Sequence, residues 1–242
     1  MRIFTNPVSM IKEVERDLVE MGTRYQSATV QDKNVADNPD FQTIELIGYD
    51  YMLTREAFHD EAEVMQTAIY TGYLKGKEEW LIAEAWERIM GATGVPANPG
   101  NSWRKNEELW GTFLRNGLFS YTYSERWREQ IPYVIQELKD HPNTRQAILT
   151  MYDRHQDMMN WGGLDRVPCS ISYQFLIREG YLVCIYNQRS CDFVKFFGAD
   201  LYLTLELMAH ISREINVPIG QFIHFIGSLH AFAGDLKGKV VF

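Results

Sequence analysis

The chain has no apolar run near the ~18 residues a helix needs to cross a bilayer, no block of lysine and arginine, and few cysteines. Each absence removes a class of protein. Lys and Arg total 24 against 32 Asp and Glu, a formal charge of -8, so no sequence-tolerant nucleic-acid surface is expected and any phosphate must be met by a local cluster of cations. The three cysteines, Cys169, Cys184 and Cys191, are odd in number and spaced like neither a disulfide framework nor a zinc site. The six histidines include no pair at i, i+4, so no metal is expected. The N-terminal Met-Arg-Ile-Phe-Thr-Asn-Pro runs straight into a polar helical pattern and lacks a signal peptide's apolar block. A cytoplasmic protein with reduced thiols, bound to no membrane, is the expectation. What is present is 242 residues, 45% hydrophobic and 13% aromatic, which suits a folded globule with one large core. A single domain over 1–242 is expected.

Helical and strand patterns are mixed along the chain. Asn6 and Pro7 signal a helix start, Val8, Ile11, Val14 and Leu18 make its stripe, and Gly22 stops it. Residues 23–41 read as loop, 43–47 as a strand closed by Gly48, and 54–74 as a helix on Phe58, Val64, Ala68 and Leu74. The Gly- and Pro-rich stretch from 91 to about 105 predicts a surface insertion. Residues 124–138 read as a helix stopped by Asp140-His141-Pro142-Asn143, and 145–152 as extended. Residues 167–177 and 181–188 read as strands joined by the turn Arg178-Glu179-Gly180. Asp200 would cap a helix from 201 to about 215, and 219–226 reads as a last apolar strand. This order predicts an α+β fold with a large, mostly covered sheet.

Polar residues of kinds that sheets usually avoid fall in the second half. Cys169 follows Pro168, and Gln188-Arg189-Ser190-Cys191-Asp192 comes later. An arginine in an otherwise apolar strand calls for an anionic partner, because burying an unpaired guanidinium is costly. A ligand phosphate would serve, and so would a structural ion pair. Cys169 reads either as a packed core thiol or as a nucleophile. Residue types alone leave both choices open.

Pro168-Cys169, Tyr173-Gln174-Phe175, Gln188-Arg189-Ser190-x-Asp192 and Gly227-x-x-His230, in that order and at those intervals, resemble the successive landmarks of the thymidylate synthase family over about 144–232, and more loosely from 43. Gly227-Ser228-Leu229-His230 and Asp200 resemble its deoxycytidylate hydroxymethylase branch. The resemblance implies a thymidylate synthase-like α+β fold, with a large mixed sheet covered by helices and dimerising through the sheet. It implies that Cys169 is the nucleophile, adding to C6 of a pyrimidine so that C5 can attack a one-carbon donor. Arg189 would meet both thiolate and phosphate and lower the thiol pKa. Gln188 and Ser190 would contact the nucleotide, Ser190 at its phosphate, and His230 would bind the sugar 3′-hydroxyl. Arg145 would reach a partner subunit's phosphate, making a homodimer with shared sites. Asp192, also implied in catalysis, and Trp110 would meet methylenetetrahydrofolate; an ion-pair aspartate and a core tryptophan are the plainer readings.

Asp200 carries the base preference. Cytosine offers an N4 donor and an N3 acceptor, so a carboxylate can accept from N4 and share one proton with N3, whereas an Asn amide suits uracil. A helix cap is the plainer reading, and both can hold. Several positions depart from the family. Aligned on Gly72-Tyr73-Leu74-Lys75-Gly76, the family's Glu on an N-terminal helix falls on Ile69 or Tyr70, with Glu63 and Gln66 upstream. Gln146 replaces a second arginine beside Arg145, Phe232 replaces a sugar-binding tyrosine, and a short or absent C-terminal lid is expected after His230. The function expected is hydroxymethylation at C5 of a cytidine-type monophosphate, dCMP or CMP, with methylenetetrahydrofolate as carbon donor. The alternatives are C5 methylation of dCMP or dUMP within the same family, and a nucleotide-binding homologue that has lost turnover.

Overall fold

The computed structural model describes residues 1–27, 29–30, 33–91, 98–160 and 166–236. Numbered in chain order, the strands are β1 (Arg2–Phe4), β2 (Thr23–Gln26), β3 (Thr29–Val30), β4 (Lys33–Asn34), β5 (Gln42–Leu53), β6 (Ile148–Thr150), β7 (Ser170–Arg178), β8 (Tyr181–Asp192) and β9 (Ile219–Phe232). The helices are α1 (Pro7–Met21), α2 (Glu61–Ala68), α3 (Glu78–Met90), α4 (Glu107–Trp110), α5 (Tyr123–Arg128), α6 (Gln130–Asp140) and α7 (Gly198–Ile215). Seven strands form one sheet in the order β1-β5-β9-β8-β7-β6, with β2 also on β5, while β3 and β4 form a separate ribbon. β1 runs parallel to β5 and β8 parallel to β9; the other pairs are antiparallel. A parallel pair needs a crossover. Helix α7 supplies it between β8 and β9, burying residues on most of its circumference, as a helix covered on several sides must.

The α+β architecture matches the expectation, and several local features do too. Asn6 caps α1 by accepting from the Ser9 N–H at 2.9 Å, and Met10, Ile11, Val14 and Leu18 are buried. Glu179 and Gly180 both have positive φ, the two-residue turn whose twist suits a hairpin, with Arg178 opposite Tyr181.

Other expectations fail for identifiable reasons. Gly48 does not close a strand: its φ of +68° kinks β5, which continues to Leu53. Inward-facing residues change parity at this level in three adjacent strands, between Ile44 and Tyr51 in β5, Gln188 and Cys191 in β8, and Ile226 and Leu229 in β9, all buried. The register is unbroken across the kink. Gly227 is required there, since a Cβ would meet the Arg189 carbonyl oxygen at 2.8 Å. The single helix expected over 54–74 is a short turn at Arg55–Phe58 followed by α2, because the Asp60 side chain caps a new start by accepting from the Ala62 N–H at 2.8 Å. The helix expected over 124–138 is split into α5 and α6, and Pro132 lacks the N–H that would join them. Residues 23–26 are strand, not loop, because they pair with β5. Of the expected surface insertion, 92–97 lie outside the described residues, while Ser102, Trp103 and Asn106 are buried.

Candidate active site

The kink delivers the first group of residues. Cys169 immediately precedes β7 and is partly exposed. Arg189, at the kink of β8, is fastened over it: Nε donates to the Pro168 carbonyl at 2.8 Å, one terminal nitrogen donates to the Val167 carbonyl at 2.9 Å, and that nitrogen lies 3.9 Å from Cys169 Sγ. Burial pushes the Cys169 thiol up; Arg189 and Arg166 pull it down, and Asp200 and Asp192 push it up again. The net direction is upward. The expected lowering by Arg189 is therefore present but outweighed, chiefly by burial of the thiol, with Asp200 and Asp192 adding to the rise. Past the kink, Ser190 and His230 face each other, with Oγ to Nδ1 at 3.5 Å.

Asp192 occupies a structural position sequence patterns did not suggest. Its Oδ1 accepts from the Val194 and Lys195 N–H groups at 3.1 Å each, capping the wide turn Phe193–Phe197 that leads into α7. Asp200 is not the cap of that helix but sits in its first turn. Its side chain points toward the sheet instead. Gln188 Nε2 donates to Asp200 Oδ2 at 2.6 Å, and Gln188 Oε1 accepts from His224 Nε2 at 2.9 Å. His224 Nδ1 then accepts from the Tyr51 hydroxyl at 3.1 Å. Gln188 is buried, and its amide is engaged at both ends.

Desolvation sets the charges in this relay. Burial raises Asp200 from 3.8 to about 6, opposed by Arg88 and by hydrogen bonds from Gln188 and Cys191. Burial lowers His224 from 6.5 to about 3, so the ring is neutral and stacks on Tyr186 at 4.4 Å. Below the unfolded value, the unfolded chain binds a proton that folded His224 refuses, so this residue's contribution to stability falls as pH drops from about 6.5 toward 3. The stability difference between wild type and His224→Gln should therefore shrink by about 2 kcal/mol between neutral pH and pH ~5. Urea midpoints of both proteins across that range check it.

A cleft opens beside these residues, lined by α3, the 102–110 segment, 119–124 and Arg166. It holds two carboxylates. Glu84 accepts from Arg88 Nε at 2.7 Å and from the Ser102 hydroxyl at 2.6 Å, while Glu87 accepts from the Ser102 N–H at 2.8 Å. The Arg88 guanidinium lies 3.8 Å from the centre of the Tyr123 ring. Trp110 packs on Trp80 and Phe113, and Arg166 stacks over Trp110, Phe113 and Tyr121 at 4.7, 4.8 and 5.1 Å. The cleft and Cys169 are joined at the neighbouring Ser170, whose Oγ is 2.7 Å from the Tyr123 hydroxyl.

The structure thus brings together Cys169, Arg189, Ser190, His230, Gln188, Asp200 and Asp192 around the ends of β7, β8 and β9, with Trp110 in the adjoining cleft. It does not bring Arg145 there. Arg145 is exposed before β6, beside the Arg178 end of β7, roughly 25 Å from the Cys169 end by the rise of a strand. Sequence reading missed Glu84, Arg88, Trp103, Tyr123 and Arg166. The Glu84–Arg88 spacing of i, i+4 was a usable signal.

Known proteins bear on this geometry. A family model described as thymidylate synthase matches residues 66–238. The chain is 28% identical over 115 residues to a bifunctional dihydrofolate reductase-thymidylate synthase of Paramecium tetraurelia, covering 48% of this chain and 24% of that one. It is 27% identical over 133 residues to a thymidylate synthase of Staphylococcus haemolyticus, covering 50% and 40% respectively. The matched segment is thus less than half the length of these relatives. The crystal structure of thymidylate synthase from T4 phage superposes with a TM-score of 0.67 at 20% identity, over 93% of this chain and 77% of that one, a likeness of fold.

Proposed function

The chain belongs to the thymidylate synthase family, and from that premise we propose that it transfers a one-carbon unit to C5 of a pyrimidine nucleoside monophosphate, hydroxymethylating dCMP or CMP with methylenetetrahydrofolate as carbon donor. The observation that carries the reading is the convergence of Cys169, Arg189 and Asp200 at the ends of two adjacent strands and the helix between β8 and β9. A thiolate at Cys169 forms a bond to C6 of the base and displaces the C5–C6 π electrons toward C5, which becomes the nucleophile. C5 would bond to the donor's methylene carbon, whose bond to the folate nitrogen would break as the C5 proton leaves; water would add its hydroxyl to that carbon, and expulsion of the thiolate would restore the ring. Arg189 is placed to favour the thiolate and to meet the 5′-phosphate, with Ser190 beside it.

Asp200 supports the cytosine preference. With its pKa near 6, the carboxyl holds a proton readily enough to share it with cytosine N3 while its other oxygen accepts from N4. Glu84 takes the part of the missing family glutamate, a carboxylate fixed by Arg88 and Ser102 inside the cleft, placed to order water and move a proton.

The cleft suits a flat heterocycle: Trp103 and Trp110 line it, and the buried indole N–H of each has no acceptor among the described residues. Methylenetetrahydrofolate supplies the one-carbon unit when bound. Asp192 and Trp110 are the residues we assign to hold it. A homodimer through the sheet completes the reading. Ile47, Phe225 and Ile148 are exposed on strands of that sheet, an apolar surface of the kind association covers, and Arg145, remote from its own Cys169, would serve the partner.

The test is incubation with dCMP, CMP or dUMP tritiated at C5, plus methylenetetrahydrofolate. Tritium release without dihydrofolate absorbance is the expected result with a cytidine nucleotide. Release with that absorbance would make the product a methyl group. No release with any base, together with unchanged nucleotide binding in Cys169→Ser, would leave only a binding protein.

A further inference from the structure

Glu45 on β5 lies directly opposite His230 of β9, and Asp192 of β8 is the register neighbour of His230 on its other side. Residues paired in this way point to one face of the sheet. Two positions back, Ser190 and Ser228 are neighbours in the same register, so all five residues share that face. Contacts between side chains tie them together: Ser190 Oγ is 3.5 Å from His230 Nδ1, and the Ser228 hydroxyl donates to Glu45 Oε1. Phe232 closes the row with a ring 5.9 Å from that of His230 and offers no donor. The second carboxylate oxygen of Glu45 has no donor among the described residues, and no lysine, arginine or histidine pairs with it there. A partly buried carboxylate without a cation is unfavourable until further donors meet it.

We infer that Glu45 selects the sugar: its free oxygen accepts a hydrogen bond from the 2′-hydroxyl of a ribonucleotide, so that the substrate is CMP and not dCMP. The inference rests on the proposed reaction for the places of the base, at Cys169 and Asp200, and of the 5′-phosphate, at Arg189 and Ser190. The sugar joins those two groups, and the polar row running from Ser190 through His230 to Glu45 is the ground beside it. β8 and β5 stand two strand spacings apart, roughly 9 to 10 Å, which accommodates a sugar and keeps the carboxylate away from the phosphate. An ionised carboxylate only accepts, and ribose brings one hydroxyl donor more than deoxyribose. A carboxylate meets the ribose 2′-hydroxyl in dinucleotide sites by the same chemistry. With deoxyribose bound, Glu45 would be desolvated and left short of that donor, which is how a site built around a hydroxyl rejects the analogue that lacks it.

Tritium release from CMP and dCMP labelled at C5, together with calorimetric Kd values for both nucleotides, tests the assignment. The wild-type protein should favour CMP by about 10- to 100-fold in kcat/KM. Glu45→Ala should erase that preference by lowering the CMP value alone, with dCMP kept within about three-fold of wild type. A merely structural role would lower both. 2′-O-Methyl-CMP, which has no donor at that position, should do no better than dCMP. Equal use of the two nucleotides by the wild type, a preference for dCMP, or an equal loss on both in Glu45→Ala would overturn the inference. If neither nucleotide releases tritium, the Kd values decide: tighter binding of CMP that Glu45→Ala abolishes would defeat the proposed reaction and leave the ribose contact standing, whereas equal binding by the wild type would defeat the contact as well.

Discussion

Cys169→Ala should abolish the proposed C5 tritium release, by on the order of 10⁴-fold or more, while nucleotide binding, which we assign to Arg189 and Ser190, should persist. Removing a covalent catalyst takes away the step on which every later one depends, so the loss is far larger than that of one hydrogen bond. Measuring release and equilibrium binding in the same preparation checks both halves. The other thiols provide the control. Cys184 and Cys191 are fully enclosed, and burial pushes both upward, so iodoacetamide should label Cys169 alone. Since burial also holds the Cys169 thiol above its ordinary value without nucleotide, labelling should rise through the alkaline range and not level off near neutrality. A plateau below pH ~8 would show that Arg189 dominates the thiol after all.

Asp200→Asn is the second large effect, and it acts on specificity and stability together. An amide presents a donor where cytosine has its N4 donor, so kcat/KM for the cytidine nucleotide should fall by about 10²-fold or more while uridine nucleotide gains. Tritium release from dCMP, CMP and dUMP compared side by side measures this. If the mutant keeps the wild-type order of bases, Asp200 does not read the base. The stability change has a definite sign. A carboxyl raised from 3.8 to about 6 binds its proton more tightly in the folded state, so its contribution is lost as pH rises through that interval. Relative to wild type, Asp200→Asn should gain about 2 kcal/mol between pH ~4 and neutral pH. His224 titrates over an overlapping interval with the opposite sign, so wild-type stability should change less across mildly acidic pH than that of either single variant.

The relay from Tyr51 to Asp200 explains why these two residues belong together. Each member comes from a different element, β5, β9, β8 and α7, and none is near another in sequence except through the sheet register. Tyr51 lies opposite His224, and His224 opposite Tyr186, so pairing of strands alone sets the ring beside the column of aromatics. Gln188 was expected to contact the nucleotide on the strength of the landmark it belongs to. Its buried amide holds the carboxylate of Asp200. The group we assign to read the base is thereby supported from behind by a neutral histidine, which can keep its tautomer because Gln188 accepts at one nitrogen and Tyr51 donates at the other.

Much of this was open to reading along the chain. Local signals need only neighbours: Asn6-Pro7 capped its helix, Glu179-Gly180 made its hairpin, and the spacings of Cys169, Arg189, Asp192 and His230 carried the family and with it the sheet. Three things were decided only in three dimensions. Gly48 looks like a strand end because a positive φ usually ends a ladder; here the kink lines up with Gly227 and the Arg189 backbone across three strands, so pairing continues and the strand bends instead. Asp192 and Asp200 traded the capping role, since which aspartate faces a helix start depends on the wide turn Phe193–Phe197 between them. The carboxylates of the cleft came from α3, placed by burial of Trp80, Leu81 and Ala85 of the same helix. Order and spacing along a chain specify which residues can meet, but charge states, donor directions and the choice among several glutamates follow from burial, and burial is a property of the packed molecule alone.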